Sequence, residues 1–166
     1  MKHLLLYVLM PFSLLIFSCG AQAQKPAATV PLFTFYQLDG KPFSKANLIT
    51  DQNSLFIFFD VSCEHCQRMI TEINKKYTMF KNAHFYFVSM YEPDQIRGFM
   101  TVYAKTMYGK KNVTLLQDRN REFIPKFMPE KYPATYVYSP KGNLVRYFSG
   151  EQKVDDLIVA ANRNLK

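Results

Sequence analysis

Apolar runs alternate with segments of helical periodicity along most of this sequence. Residues 54–60 form an uninterrupted apolar run, which is typical of a strand buried on both faces of a sheet. Residues 64–80 repeat apolar side chains at spacings of three and four, which indicates an amphipathic helix. Further strands are predicted over residues 31–36, 83–89, 113–116, 134–138 and 144–148, and further helices over residues 93–108, 121–128 and 154–164.

Two turn sequences complete this pattern. Asp39-Gly40 lies between apolar runs and predicts a hairpin, and the residues from Ser139 to Asn143 join the last two predicted strands. The predicted order is a β-hairpin, then strands and helices in alternation, then a second hairpin and a final helix. This order predicts an α/β fold, in which a mixed central sheet with an N-terminal β-hairpin is flanked by helices.

The N-terminal segment 1–23 has the pattern of an export signal. Its apolar stretch 4–17 is shorter than the roughly 20 residues that a membrane-spanning helix needs. In one interpretation the signal is cleaved after the Ala-Gln-Ala sequence 21–23, which leaves a soluble secreted protein. In the other, residues 16–19 are a lipoprotein signal and Cys19 carries a lipid anchor. Both interpretations place the rest of the chain in the periplasm or another space outside the cytoplasm.

The remaining chain has the size of one domain. We expect a linker over residues 24–29 and a domain over residues 30–166, which is long enough to bury a core. The formal charge of the whole chain is +8, but its basic residues are scattered, and the pairs Lys75-Lys76 and Lys110-Lys111 are the densest. This distribution is typical of a solvated surface, so we expect no nucleic-acid partner.

Cys63 and Cys66 are the two cysteines of the predicted domain, a number too small for a disulfide framework. Their Cys-x-x-Cys motif lies between the buried strand 54–60 and the helix 64–80. At a helix start, free amides and the helix dipole favour a thiolate, which is the nucleophile of disulfide exchange. The spacing therefore predicts Cys63 as the exposed nucleophile and Cys66, one turn deeper, as the resolving thiol.

Other uses of a Cys-x-x-Cys pair fit this sequence less well. A structural zinc site needs four ligands, and covalent haem needs a histidine where Gln67 stands. A soft metal such as copper(I), held by the two thiolates with His65 nearby, stays open as an alternative in a non-catalytic binding module. For the redox function, we expect no cofactor.

Five segments carry a resemblance that extends over about residues 30–166. They are residues 38–44, 56–59, 63–66, 132–135 and 140–143. On these segments the chain resembles the thioredoxin superfamily, and within it the exported TlpA/ResA-like thiol–disulfide oxidoreductases. The resemblance implies a thioredoxin-like fold, a monomer, protein thiols or disulfides as partners, and a membrane electron donor.

The resemblance also assigns residues around the motif. It implies that Pro133 has a cis peptide bond, abuts the disulfide and helps to dock an extended substrate. Tyr132 is expected to line the same substrate surface. Ser62 stands where the family usually has tryptophan, so the identity of the substrate is left open.

Further departures concern proton transfer and redox tuning. Ile57 and Met69 stand where relatives carry a buried acid or a glutamate, so no buried acid–base group is evident. Asp60 and Glu72 are near the motif in sequence alone, and water or Glu64 stays open as the group that transfers the proton. His65 would favour the Cys63 thiolate, whereas Glu64 would oppose it. The direction of exchange is therefore open. A peroxidase would need an activating arginine and threonine that the sequence does not place.

Overall fold

A mixed sheet runs through residues 25–163, the part of the chain that this computed structural model describes. Its strands are β1 (Thr34–Gln37), β2 (Pro42–Ser44), β3 (Asn53–Phe58), β4 (Ala83–Ser89), β5 (Val113–Gln117), β6 (Ala134–Tyr138) and β7 (Leu144–Ser149). The helices are α1 (Glu64–Lys75), α2 (Pro93–Tyr103), α3 (Phe123–Phe127) and α4 (Val154–Ala161). This succession of elements confirms the predicted order.

The strand order across the sheet is β2-β1-β5-β4-β3-β6-β7. Strands β3, β4 and β5 are parallel, and all the other pairs are antiparallel. The predicted α/β fold with a mixed sheet and an N-terminal β-hairpin is therefore confirmed. Because β3 and β6 are antiparallel neighbours, the carboxyl end of β3 lies beside the amino end of β6, with Phe58 opposite Ala134. The segments 59–63 and 132–133 therefore continue from the same end of the sheet.

The core lies on both sides of the sheet, as the apolar run predicts. Leu55 and Ile57 of β3 pack under the side that α1, α2 and α4 cover, whereas Phe56 and Phe58 pack under the side that α3 covers. Every residue of β3 and β4 is buried. On α1 the buried positions include Cys66, Met69, Ile70 and Ile73, which is the amphipathic face that the spacing predicts.

Helix α2 is shorter than predicted, since it ends at Tyr103 and not at residue 108. The side-chain oxygen of Asn74 accepts the N–H groups of Thr106 at 2.9 Å and Met107 at 3.2 Å. The chain leaves the helix at Ala104, whose φ of −133° is not helical, and these bonds from α1 hold the segment that follows. The local pattern of residues 93–108 could not show this tertiary contact.

Helices α1 and α3 also end before their predicted bounds. Lys76 has a non-helical ψ of 15°, and a short 3-10 turn over Tyr77–Met79 replaces the last predicted turn of α1. Helix α3 ends at Phe127, because the following residue, Met128, has a left-handed φ of 58°. The predicted export signal and Cys19 lie outside the described residues, so their assignments stay predictions. In residues 25–163 no helix is long and apolar enough to cross a membrane.

Candidate active site

Cys63 stands at the start of α1, where the chain turns after β3. It is the N-cap residue of the helix, its N–H donates to the carbonyl of Asp60 at 3.2 Å, and its own carbonyl accepts the N–H of Gln67 at 3.1 Å. Cys63 is half-buried, whereas Cys66 is fully buried one turn along the helix, and both are free thiols. The first sulfur is therefore the one that a partner can reach.

Cys66 is held as a neutral thiol by its surroundings. Burial is the largest influence and raises the pKa of Cys66 strongly, and the neighbouring Cys63 thiol and the charge of Asp60 raise it further. One influence opposes them, a hydrogen bond from the backbone N–H of Asp60. Cys66 can therefore act as a nucleophile only when a base takes its proton.

Asp60 presents its carboxylate at the end of β3 through a small hydrogen-bond network. Its Oδ1 accepts the backbone N–H of Ser62 at 2.7 Å and the Ser62 hydroxyl at 2.6 Å. Its Oδ2 accepts the Tyr91 hydroxyl at 3.3 Å. The aspartate two positions before a serine could have indicated this turn in the sequence. No sequence signal placed Tyr91 here, because it comes from the loop between β4 and α2.

Tyr132 and Pro133 lie opposite the cysteine motif. The Tyr132–Pro133 peptide bond is cis, as the resemblance predicts, and the Pro133 carbonyl accepts the N–H of Gly150 at 3.0 Å. The Tyr132 ring packs on Phe58 with 5.0 Å between centroids. Burial first, and then the negative charge of Asp60, raises the pKa of Tyr132 to about 12. Tyr132 is therefore a neutral phenol beside the motif.

Two clefts meet at Tyr132. The first, of about 200 Å³, is lined by Phe58, Ile124, Pro129, Glu130, Lys131 and Tyr132. The second, of about 460 Å³, is lined by His65, Lys131, Tyr132, Ser149, Gly150 and Glu151. Phe58, Ile124 and Pro129 line only the first cleft and are apolar, whereas the residues that line only the second are polar or charged apart from Gly150. A chain bound against Tyr132 would place its residues in both clefts.

The exposed side of α1 carries a charged network. The carboxylate of Glu151 accepts from the Nε and Nη2 atoms of Arg68 at 2.9 to 3.2 Å, and it lies 2.7 Å from Nδ1 of His65. Glu64 lies 3.6 Å from Arg68 and is largely exposed. The sequence indicated Glu64 and His65 as tuning residues, but Glu151 comes from the far end of the chain and no local pattern indicated it.

The structure brings most of the predicted site residues together. Residues 62–66 and 132–133 meet at the junction of β3, α1 and β6. Glu72 does not belong to this group, because it pairs with Lys75 at 2.6 Å on the surface of α1. The positions Ile57 and Met69 are apolar and buried. In the described part of the chain, no three or more His, Cys, Asp or Glu side chains are grouped so that they could hold a metal ion.

The sequence matches one known family over most of its length. The sequence model of the AhpC/TSA family covers residues 26–147, which include the strand β3, the cysteine motif and the segment 132–133. No curated protein sequence matches the chain significantly.

Solved structures with similar folds come from proteins of different activities. A secreted Mycobacterium tuberculosis disulfide oxidoreductase homologous to E. coli DsbE matches with a TM-score of 0.63 and 19% identity, covering 78% of this chain and 93% of that one. BsSco, of the Sco family of cytochrome c oxidase assembly proteins, gives 0.62 and 20%, covering 84% and 95%. The peroxidoxin BcpB of Mycobacterium tuberculosis gives 0.68 and 17%, covering 86% and 100%. These matches establish a thioredoxin-like fold, which by itself does not select among such activities.

Proposed function

Because the chain belongs to the AhpC/TSA family, we propose that it is a thiol–disulfide oxidoreductase that works outside the cytoplasm through Cys63 and Cys66. One observation carries this proposal. A half-buried Cys63 caps α1, and a fully buried Cys66 follows one turn later. Tyr132, which precedes Pro133, lines one cleft together with His65 of the motif. In this arrangement a partner can reach Cys63, whereas Cys66 is buried and can react only with the disulfide that Cys63 has formed.

The exchange proceeds in two steps. The Cys63 thiolate attacks a partner disulfide, so that a bond forms between Cys63 and one partner sulfur while the second partner sulfur leaves as a thiolate and takes a proton from water. Deprotonated Cys66 then attacks the sulfur of Cys63, which forms the Cys63–Cys66 disulfide and releases the first partner sulfur. Two electrons pass from the cysteine pair to the partner, and an external dithiol donor must restore them.

We propose that the carboxylate of Asp60 accepts the proton of the Cys66 thiol. Its backbone N–H already bonds to the Cys66 sulfur, and its charge acts on the same thiol. The acid that relatives carry at the positions of Ile57 and Met69 is absent here, and Asp60 is the carboxylate that we propose in its role. Ser62, in the position of the missing tryptophan, holds this carboxylate through two hydrogen bonds.

The substrate surface consists of Tyr132, Pro133 and the two clefts beside them. An extended partner segment would lie against Pro133 with its cysteine over Cys63. Partners of this kind are unfolded or wrongly paired cysteine proteins. The predicted signal 1–23 supports a place outside the cytoplasm, where such disulfides form.

The binding-module alternative receives less support. A copper(I) site would use both thiolates and a third donor, and the described residues hold no group of three or more His, Cys, Asp or Glu side chains that could bind a metal ion. A peroxidase is the other activity present among the similar folds, and nothing on the described residues near Cys63 specifically favours it.

Replacing Cys66→Ser in the full chain tests the proposal in cells. The variant can form the mixed disulfide but cannot resolve it, so it should accumulate covalent adducts that dithiothreitol releases. The double variant with Cys63→Ser is the matched control and should form none. Absence of adducts in the single variant, together with no reversible disulfide in glutathione buffers, would overturn the proposal. Retention of one copper(I) per chain under those conditions would favour the binding module.

A further inference from the structure

Glu151 joins two basic side chains of α1 through one carboxylate. Arg68 donates to it with two nitrogens, from Nε at 3.1 Å to Oε1 and from Nη2 at 2.9 Å to Oε2. The Nδ1 atom of His65 lies 2.7 Å from the same Oε2. A two-pronged contact between arginine and a carboxylate is stronger and better oriented than an ordinary surface ion pair.

The backbone holds Glu151 in this place. Gly150, which precedes it, adopts a left-handed φ of 76° that favours glycine, and its N–H donates to the carbonyl of Pro133. The side chain of Gln152, which follows, donates to the carbonyl of Ser149 at 2.8 Å. Glu151 is therefore fixed to the Pro133 segment on one side of the larger cleft, while its carboxylate reaches α1 on the other.

The charges around this cleft nearly cancel. Glu64 and Glu151 are negative, Arg68 is positive, and His65 adds a positive charge only when it is protonated. The pKa of Glu151 is lowered by Arg68 first and by His65 second, so its carboxylate stays ionised at neutral pH. Lys131 borders the same cleft from the other side. Without Glu151, the surroundings of the motif would carry one more net positive charge.

We propose that Glu151 is a positioning residue that lowers the reduction potential of the Cys63–Cys66 pair by neutralising Arg68 and His65 at the start of α1. This inference rests on the proposed redox function and gives a direction to the exchange that Glu64 and His65 alone leave open. A positive environment stabilises the Cys63 thiolate and so favours the reduced pair, which makes its disulfide a stronger oxidant. Glu151 neutralises this positive charge, which lowers the reduction potential and favours a function as a reductase.

The reduction potential of three full-chain variants, measured in glutathione or dithiothreitol buffers, tests this role. Glu151→Gln should change the equilibrium constant with glutathione about threefold to tenfold toward the reduced pair, which raises the potential by about 15 to 30 mV. Glu151→Asp keeps the charge and should recover most of the native value. Asp155→Asn removes the same charge from a pair with Lys76 at the far end of α1, and it should leave the potential unchanged.

The dependence of this potential shift on the residues of α1 is measured by repeating Glu151→Gln in the His65→Gln variant. If Glu151 acts through His65 and Arg68, the shift caused by Glu151→Gln should shrink when His65→Gln is also present. Equal shifts in both backgrounds, together with equal shifts for Asp155→Asn, would show a general effect of charge and overturn the inference. An unchanged potential in Glu151→Gln would also overturn it, while a reversible disulfide in that variant would leave the proposed function standing.

Discussion

The backbone N–H of Asp60 donates a hydrogen bond to the sulfur of Cys66, while the carboxylate of Asp60 opposes the ionisation of that thiol. The hydrogen bond lowers the pKa of Cys66, whereas the charge of the carboxylate raises it. Each effect matters at a different step of the exchange. The N–H stabilises the thiolate once it has formed. Burial is the main reason that the thiol is neutral beforehand, and the charge of the carboxylate adds to it. We expect the same carboxylate to take the proton of the thiol.

Asp60→Asn should slow the release of a mixed disulfide by Cys66 about a hundredfold, the lower end of what positioned acid–base groups contribute. Asparagine can still accept the hydrogen bonds of Ser62, so the turn should persist, but it cannot take a proton. The rate is measured after glutathione has been attached to Cys63, by following its release under single-turnover conditions.

Tyr91→Phe is the control for this measurement. It removes the 3.3 Å hydrogen bond to Asp60 but keeps the carboxylate, so release should slow much less. If Asp60→Asn released glutathione as fast as the native chain, another group would have to accept the proton of Cys66.

The two cysteines should differ sharply in their reaction with iodoacetamide. Near neutral pH we expect Cys63 to be labelled more than about tenfold faster than Cys66, because burial both hides Cys66 and raises its pKa. Mass spectrometry of the two labelled positions over time measures both rates, after Cys63→Ser and Cys66→Ser variants have assigned them. In concentrated urea the difference should disappear. Equal rates in the folded protein would contradict the burial of Cys66.

Local patterns were sufficient to predict most of the fold and the place of the motif. The apolar run 54–60 could be recognised because a strand covered on both faces has no polar alternation. The helix after Cys63 could be recognised because Met69, Ile70 and Ile73 share one face. In both cases the decisive information lies within about one element of the chain.

The rest depended on contacts between distant segments. Tyr91 reaches Asp60 from 31 positions away, and Glu151 reaches Arg68 from 83 positions away. Asn74 holds the segment after α2 through a bond across 32 positions. A single sequence does not encode such pairings in any spacing. The contact of Tyr91 with Asp60 and the charged network on α1 therefore emerged only from the folded chain, although the sequence already named Asp60.

His84 should make the folding stability depend on pH. It is buried in β4, its Nε2 lies 2.8 Å from the hydroxyl of Thr114, and burial lowers its pKa below the ordinary 6.5. The unfolded chain therefore binds a proton more readily, so this contribution is fully present above about pH 6.5 and is lost as the pH falls through the folded-state pKa. Urea unfolding of the native chain and His84→Gln at several pH values measures it.

The difference between the two proteins isolates His84, since their carboxylates titrate alike. The native chain should lose more stability than His84→Gln as the pH falls below about 6.5. Parallel curves for the two proteins would mean that His84 ionises equally well in the folded and unfolded chains.

Ile124 should contribute to the recognition of protein partners but not to the thiol chemistry. It is 45% exposed and lines the apolar cleft beside Tyr132, so a bound segment would bury it further. Ile124→Ser should therefore weaken exchange with the glutathione mixed disulfide of an apolar cysteine peptide about fivefold, since about 1 kcal/mol of apolar burial is lost. Exchange with glutathione disulfide itself should not change. Val102→Ser, at a 69% exposed position on α2, is the control. Equal loss in both assays would show that Ile124 supports the fold and not the docking surface.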